Sequence, residues 1–157
     1  MKTTLILIGK TTDKHITALI DEYKQRLSHY LNFEIVIIPE LKNTKNLSFE
    51  QQKNAEGELI LKQLTQADTI VLLDEHGKEQ SSVRFSKWVE KKLGSTPRRL
   101  VFIIGGPYGF SNSVREKASE LISLSQMTFS HQMVRLIFIE QLYRAMTIIN
   151  NEPYHHE

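Results

Sequence analysis

The feature that most constrains the fold is a regular alternation of short apolar runs, rich in β-branched residues, with longer segments of helical periodicity. Five runs have the character of strands. They are Thr4–Ile8, Phe33–Ile38, Thr69–Leu73, Leu100–Ile104 and Leu121–Leu124. Four of them are apolar on both faces, as expected for strands covered on two sides. Buried strands that alternate with helices predict a three-layer α/β/α fold with a mainly parallel sheet.

The segments between the runs predict helices. One helix face is formed by apolar residues at steps of three and four, namely Ile16, Ile20, Tyr23, Leu27 and Tyr30. A second helix should begin at Ser48, where Gln51 completes a capping box, and a third should span Phe85 to Leu93. Ser113 and Glu116 have the same capping spacing, so a short helix is predicted to begin at Ser113.

The last predicted helix, His131–Ile149, is apolar around much of its circumference. Such a helix has to be covered on more than one side. A homodimer formed through this helix and a helix threaded through the centre of the fold are both consistent with the pattern. We predict the homodimer.

Bulk properties exclude several classes of protein. The 157 residues predict one domain over 1–157, and the segment Leu41–Leu47 reads as a surface loop. With 0 cysteines, disulfides and thiolate metal sites are excluded. The apolar run Leu5–Ile8 is too short for a signal peptide and no run is long enough to span a bilayer, so we expect a soluble, cytoplasmic protein. The net charge of +2 permits contact with phosphates but indicates no polybasic surface.

Two glycine motifs follow predicted strands. Gly9-Lys10-Thr11 resembles the end of a P-loop, but Thr4 stands where that motif needs a glycine, so Gly9 is interpreted as a turn. The loop Gly105–Gly109 follows the fourth strand, at the edge where open α/β sheets bind ligands. Its glycine spacing does not match the dinucleotide fingerprint. The loop Asp74–Lys78 should open on the same edge.

Charged residues of the last helix and tail form further candidate sites. His131 and Arg135 share a helix face and are spaced to meet a phosphate, while Glu140 and Arg144 are spaced to pair with each other. Adjacent histidines without a third ligand make a poor metal site, so no metal is expected.

Four segments together resemble a known family, and the resemblance extends over essentially the full chain. These segments are Phe102–Gly109, Leu124–Arg135, Glu140–Ala145 and Tyr154-His155. They are similar to the RlmH family of SPOUT-class methyltransferases, which act on N3 of a pseudouridine in 23S ribosomal RNA. The resemblance implies a deep C-terminal trefoil knot, S-adenosyl-L-methionine as cofactor, a homodimer, and the assembled ribosome as substrate. The alternative functions are a SPOUT methyltransferase with another RNA target, such as tRNA, and a non-catalytic ribosome-binding protein.

The resemblance also implies roles for individual residues. The knot and cofactor site should lie within about residues 70–149, and the tail 150–157 should handle RNA. The expected cofactor-binding residues are Leu73, Gly105, Leu124, Ser125, Gln126, Met127, Thr128 and Phe129. His155 is the predicted general base and Tyr154 the residue that stacks on the target base, with Arg135 or His131 holding phosphate or developing charge. His156 stands where family members commonly have arginine or lysine.

Overall fold

A computed structural model describes residues 1–156 and divides them into five strands, five α-helices and one 3-10 turn. The strands are β1 (Lys2–Ile8), β2 (Asn32–Ile38), β3 (Asp68–Glu79), β4 (Arg99–Ile104) and β5 (Glu120–Ser123). The helices are α1 (Lys14–Leu27), α2 (Phe49–Leu61), α3 (Ser82–Ser95), α4 (Asn112–Lys117) and α5 (His131–Ile149). The 3-10 turn, Thr44–Asn46, lies within the predicted surface loop.

The five strands form one sheet in the order β2-β1-β4-β3-β5, and every neighbouring pair is parallel. Strands β1 and β4 occupy the interior of the sheet and are almost wholly inaccessible to solvent along their length. Parallel strands need crossover connections, which the helices between them supply. The predicted three-layer α/β fold is therefore confirmed.

Two apolar cores lie on opposite faces of the sheet. On one face, α1, α3 and α5 pack over side chains such as Leu5 and Phe102. On the other face, α2 and α4 pack over the residues that alternate with these, such as Ile6 and Ile103. Alternation of side chains along a strand assigns neighbours to different faces, so continuous apolar runs are required in the central strands.

Two element boundaries differ from the sequence prediction. Strand β3 does not end at Leu73 but continues through the segment predicted as a loop, as far as Glu79. Helix α4 is capped by Ser111, whose hydroxyl accepts a hydrogen bond from the Val114 amide at 3.3 Å, and not by Ser113. The capping-box spacing pointed to Ser113 because Glu116 stands three residues on, but the hydroxyl of the buried Ser111 caps the helix without a glutamate partner.

The far part of β3 passes very close to β5. Ile122 of β5 pairs both with Leu73 and with Lys78, so β3 is irregular between these two residues. A Cβ atom at Gly77 would lie 2.6 Å from the backbone nitrogen of Ile122. Only glycine permits this approach. The trefoil knot itself stays a prediction.

The turn after β1 contains Gly9, which has a φ of 78° in the left-handed region. Its amide donates a 2.7 Å hydrogen bond to the Ile38 carbonyl at the end of β2. The interpretation of Gly9 as a turn residue is confirmed. Across residues 1–156, no helix combines the length and apolar character needed to cross a membrane.

Candidate functional site

A cavity of about 280 Å³ lies at the carboxyl end of β4, where the pairing of β3 with β4 ends at Leu73, and beside the segment that follows β5. Its size is close to the lower end of the usual range for small-molecule sites, about 300 Å³. The residues that line it come from the middle of β3, the ends of β4 and β5, the glycine loop, the segment after β5 and the start of α5: Leu73, Asp74, Glu75, Ile104, Gly105, Gly106, Pro107, Gly109, Phe110, Ser123, Leu124, Ser125, Met127, Thr128, Phe129, His131 and Val134.

Seven of the eight residues predicted to bind a cofactor line this cavity. The exception is Gln126, which lies in an adjoining depression, where its amide nitrogen is 3.5 Å from a carboxylate oxygen of Glu79. Binding by these eight residues stays a prediction, because the structure shows where they lie and not what they hold. The geometry brings Leu73 to Gly105 and to the 124–129 segment, although these parts are distant in sequence.

Several lining residues were not named by sequence reasoning. Three of them belong to the predicted ligand loop, namely Gly106, Pro107 and Gly109, and Ile104 directly precedes that loop. The prediction of a ligand loop was therefore the sequence feature that pointed to these four residues. Val134 lies one helical turn beyond the cap of α5. No pattern in the sequence indicates that this side chain reaches the cavity.

The glycine loop is packed too tightly for side chains at two positions. A Cβ atom at Gly105 would lie 2.9 Å from the Phe110 ring, and one at Gly106 would overlap the Glu56 carboxylate. Gly109 has a φ of 79°, which favours glycine. The loop is therefore shaped by contacts behind it as well as by its own turn.

Asp74 and Glu75, at the cavity edge, have opposite environments. The Asp74 side chain is 7 % exposed and accepts hydrogen bonds from the His76 amide at 2.8 Å and from Arg115 at 2.7 Å. Burial alone would raise the pKa of Asp74, but these hydrogen bonds outweigh it and hold the pKa below its usual value. Glu75 is 60 % exposed. Asp74 is therefore a fixed anion held within β3, in a segment that was predicted as a loop.

The segment after β5 is held by short-range hydrogen bonds. The Ser123 hydroxyl donates to the Ser125 carbonyl at 3.0 Å, and the Ser125 hydroxyl accepts from the Met127 amide at 3.0 Å. Ser130 then caps α5 by accepting from the Met133 amide at 3.1 Å. These bonds leave the Met127 side chain 78 % exposed at the cavity rim.

His131 and Arg135 share a face of α5 but have different surroundings. His131 is exposed and lines the cavity. Arg135 is 4 % exposed, and its guanidinium donates to the Ile8 carbonyl at 2.6 Å and to the Thr11 hydroxyl at 3.0 Å. Burial lowers the pKa of Arg135. Its contact with phosphate stays a prediction, while in this structure it anchors the loop after β1.

The C-terminal tail packs against α1 and α5 of its own chain. The Tyr154 hydroxyl donates to a Glu140 carboxylate oxygen at 3.0 Å and lies 3.1 Å from the Tyr23 hydroxyl. Arg144 pairs with Glu140 at 2.6 Å, as its spacing predicted, and its guanidinium lies 4.8 Å from the centre of the Tyr154 ring. Burial, followed by the hydrogen bonds with Tyr23 and Glu140, raises the pKa of Tyr154, so the phenol keeps its proton.

His155 is placed by the same arginine. Its Nδ1 atom lies 3.1 Å from the Arg144 guanidinium. An arginine can only donate, so Nδ1 is the acceptor and the imidazole proton resides on Nε2. His156, next in the chain, is exposed.

Within residues 1–156, no residue of the tail lines the cavity. Val134, the lining residue furthest along α5, and Glu140, at the tail, are six residues apart on that helix, which corresponds to about 9 Å. Arg144 lies a further turn away. A site that used both the cavity and the tail would need either a released tail or the tail of a second chain.

The cavity has the mixed apolar and polar lining that is usual in small-molecule sites. Leu73, Ile104 and Leu124 give it apolar walls, and the backbone of the glycine loop and of 125–129 gives it polar groups at its edge. No three histidine or acidic side chains within residues 1–156 lie close enough together to hold a metal ion. The fold and cavity place the chain in the class of α/β proteins that bind a small ligand at the carboxyl edge of a parallel sheet.

Comparison with known proteins narrows this class to a family. Residues 1–155 match the family model described as predicted SPOUT methyltransferase, so the chain belongs to the SPOUT methyltransferase family. Three curated relatives carry the name ribosomal RNA large subunit methyltransferase H. They come from Parabacteroides distasonis (64 % identical), Phocaeicola vulgatus (62 %) and Flavobacterium johnsoniae (59 %), each aligned over 100 % of both chains.

Proposed function

We propose that this protein is an S-adenosyl-L-methionine-dependent methyltransferase that methylates large-subunit ribosomal RNA. The target is N3 of a pseudouridine in 23S RNA, and the protein acts as a cytoplasmic homodimer on the assembled ribosome. The observation that carries the proposal is the cavity at the sheet edge, lined by seven of the eight residues expected at the cofactor site. Full-length relatives named for the same activity support it.

The residues of the cavity fit the proposed cofactor. Leu73, Leu124 and Met127 supply apolar contacts for an adenine ring, and backbone groups of Gly105 and of 125–129 can pair with its polar edge and the ribose. When bound, the cofactor supplies an electrophilic methyl group on a sulfonium. The protein then has to orient the acceptor nitrogen and exclude water from the cavity.

The tail supplies the remaining chemistry. Tyr154 offers an aromatic ring for stacking on the target base, and His155 is the proposed base for the weakly acidic imide proton of N3. In the described arrangement, the lone pair of His155 Nδ1 accepts from Arg144. His155 can take a proton at Nδ1 once Arg144 turns to another acceptor, and an RNA phosphate is such an acceptor.

The separation of tail and cavity supports a homodimer. A second copy can bring its tail to the cavity that its partner's own tail does not reach. Met133 on α5 is 40 % exposed and Leu19 on α1 is 42 % exposed, so apolar side chains remain available on these helices. A dimer through α5 would cover them.

The proposed function is tested with ribosomes from cells that lack the gene. Purified protein and isotopically labelled S-adenosyl-L-methionine should place one methyl group on a 23S RNA pseudouridine, located by mass mapping. Label in tRNA alone would support a different RNA target. Cofactor binding without any label would support a non-catalytic role.

The role of His155 has its own test and an internal control. We expect His155→Ala to lower turnover at least about a hundredfold, the lower end of what a general base contributes, and to leave cofactor affinity nearly unchanged. His156→Ala, one residue further on, should have a smaller effect on turnover. A large loss of cofactor affinity in His155→Ala would contradict the assignment.

A further inference from the structure

Helix α2 lies on the face of the sheet away from α5, yet it contacts the glycine loop at two points and Ser111, just after the loop, at a third. Near its start, the Phe49 ring stacks on Tyr108 with ring centroids 4.3 Å apart and planes 19° from parallel. In its middle, Glu56 contacts Gly106, and Gly57 contacts Ser111, which follows the loop. The loop is therefore held from behind by one helix.

The middle contact is a hydrogen bond between a carboxylate and a loop amide. Gly106 donates its N–H to Glu56 Oε1 at 2.9 Å. Glu56 is half-buried and forms no ion pair with another residue in the described part of the chain. Burial raises the pKa of Glu56, and the hydrogen bond from Gly106 opposes that rise. Burying a carboxylate costs free energy, and the hydrogen bond from Gly106 offsets part of that cost.

Two glycines beside this contact have no space for a side chain. A Cβ atom on Gly106 would overlap the Glu56 carboxylate, and a Cβ atom on Gly57 would overlap the Ser111 hydroxyl. Ser111 in turn caps α4, directly after the loop. The pair Glu56-Gly57 therefore fits both the start and the end of the segment that forms one wall of the cavity.

We propose that Glu56 is a positioning residue for the methyl-donor site, because its carboxylate fixes the Gly106 amide and with it the loop 105–109. The inference rests on the proposed function, since it concerns the ligand of that cavity. Glu56 itself does not line the cavity, so it acts through the loop. A loop held in its binding conformation loses less entropy when the ligand binds, and affinity is therefore higher.

The test compares three variants with the wild-type protein by calorimetric titration of S-adenosyl-L-methionine. Glu56→Ala removes the acceptor and should weaken cofactor binding about tenfold. Glu56→Gln keeps an oxygen that can accept from Gly106, so it should restore most of the affinity. Glu58→Ala changes an exposed glutamate on the same helix and should bind like the wild type.

Kinetic measurements distinguish a positioning role of Glu56 from a general loss of structure. In Glu56→Ala, the KM for the cofactor should rise while kcat at saturating cofactor stays near the wild-type value. Wild-type affinity in Glu56→Ala, or an affinity in Glu56→Gln as low as in Glu56→Ala, would overturn the inference. A Glu56→Ala protein that fails to fold leaves the Glu56→Gln comparison to decide. Absence of cofactor binding in the wild type would instead contradict the proposed function.

Discussion

His131 and Arg135 lie on the same face of α5 but have different neighbours, so their spacing in the sequence predicts only part of their environment. His131 and Arg135 are one turn apart, and both were predicted to meet phosphate or developing charge. The structure places His131 at the cavity and turns Arg135 inward, to the Ile8 carbonyl and the Thr11 hydroxyl. Spacing fixes the face of a helix, while the neighbours of that face come from distant parts of the chain.

The two residues should therefore respond differently to truncation. We expect Arg135→Ala to lower the free energy of unfolding by about 2–3 kcal/mol, because charge-assisted hydrogen bonds are lost and the Ile8 carbonyl loses its partner. His131→Ala should change stability by less than about 0.5 kcal/mol and lower methyl transfer instead. Urea unfolding and a methylation assay measure both effects. Equal stability of the two variants would contradict the anchoring role.

The sequence identifies the parts of the cavity that are contiguous in the chain better than those that depend on tertiary contacts. The Gly105 loop carries a local signal, namely glycines at the end of a strand, and the 124–129 segment was assigned through the family resemblance. Glu56 lies 50 residues before Gly106, and no periodicity connects them. Its contact with the loop depends on how α2 packs, which only the structure provides.

At the scale of elements, the close passage of β3 and β5 depends on one glycine. In Gly77→Ala, the new methyl group would meet the backbone of Ile122 at 2.6 Å, and backbone cannot turn away as a side chain can. We expect a loss of at least about 2 kcal/mol in the free energy of unfolding. Gly94→Ala in α3 is the matched control, because no atom lies within 4 Å of the added methyl group.

The control variant, Gly94→Ala, should have a higher free energy of unfolding than the wild-type protein. Alanine is favoured over glycine in a helix, so Gly94→Ala should stabilise the protein by up to about 1 kcal/mol. Urea unfolding of both variants gives the comparison. A Gly77→Ala protein as stable as the wild type would contradict the described contact between β3 and β5.

A second element-scale contact joins the starts of β3 and β4. Arg99 donates to both carboxylate oxygens of Asp68, at 2.9 and 2.6 Å, and the Asp68 side chain is only 3 % exposed. Burial would raise the pKa of Asp68, but the bonds from Arg99 and from the Thr65 amide lower it. The ionised carboxylate therefore stabilises the fold.

The pH dependence of stability follows from the sign of this shift. The contribution of Asp68 is fully present above its unfolded-state pKa of about 3.9 and is lost as the pH falls through the lower folded-state value. Asp68→Asn should therefore lower stability at pH 7 and lessen the loss of stability on acidification below about pH 4. Unfolding curves from pH 2 to 7 measure both slopes. If the stability of Asp68→Asn and of the wild-type protein fell equally between pH 4 and pH 2, the prediction would be wrong. Glu22→Gln, at an exposed pair with Arg26, is the control.

Element prediction failed where tertiary contacts override local pattern. The segment after Leu73 is rich in charge and contains Gly77, so it was predicted as a loop, yet pairing with β5 extends the strand to Glu79. The apolar strands of the sheet interior and the stripe of α1 were predicted correctly, because burial on known faces dictates their composition.

At the scale of the whole molecule, the separation of tail and cavity is the feature with the largest consequence. Tyr154 and His155 are held by Glu140 and Arg144, about 9 Å or more along α5 from Val134, the last residue of that helix to line the cavity. A chain acting alone would have to release its tail from these partners. A second chain can instead bring its tail to the cavity, provided that the two molecules pair near α5.

Complementation between two inactive variants distinguishes these arrangements. Gly105→Val fills the cavity edge and crowds Phe110, and His155→Ala removes the proposed base, so each homodimer should be inactive or nearly so. If the tail acts on its partner's cavity, a heterodimer contains one site with an intact cavity and an intact tail. Equal mixing after unfolding and refolding makes half of the dimers mixed, so we expect about a quarter of wild-type activity. If each tail served its own cavity, every site would carry a defect and the mixture would stay inactive. Sedimentation of the refolded mixture verifies that dimers form, and a monomer at micromolar concentration would contradict the homodimer itself.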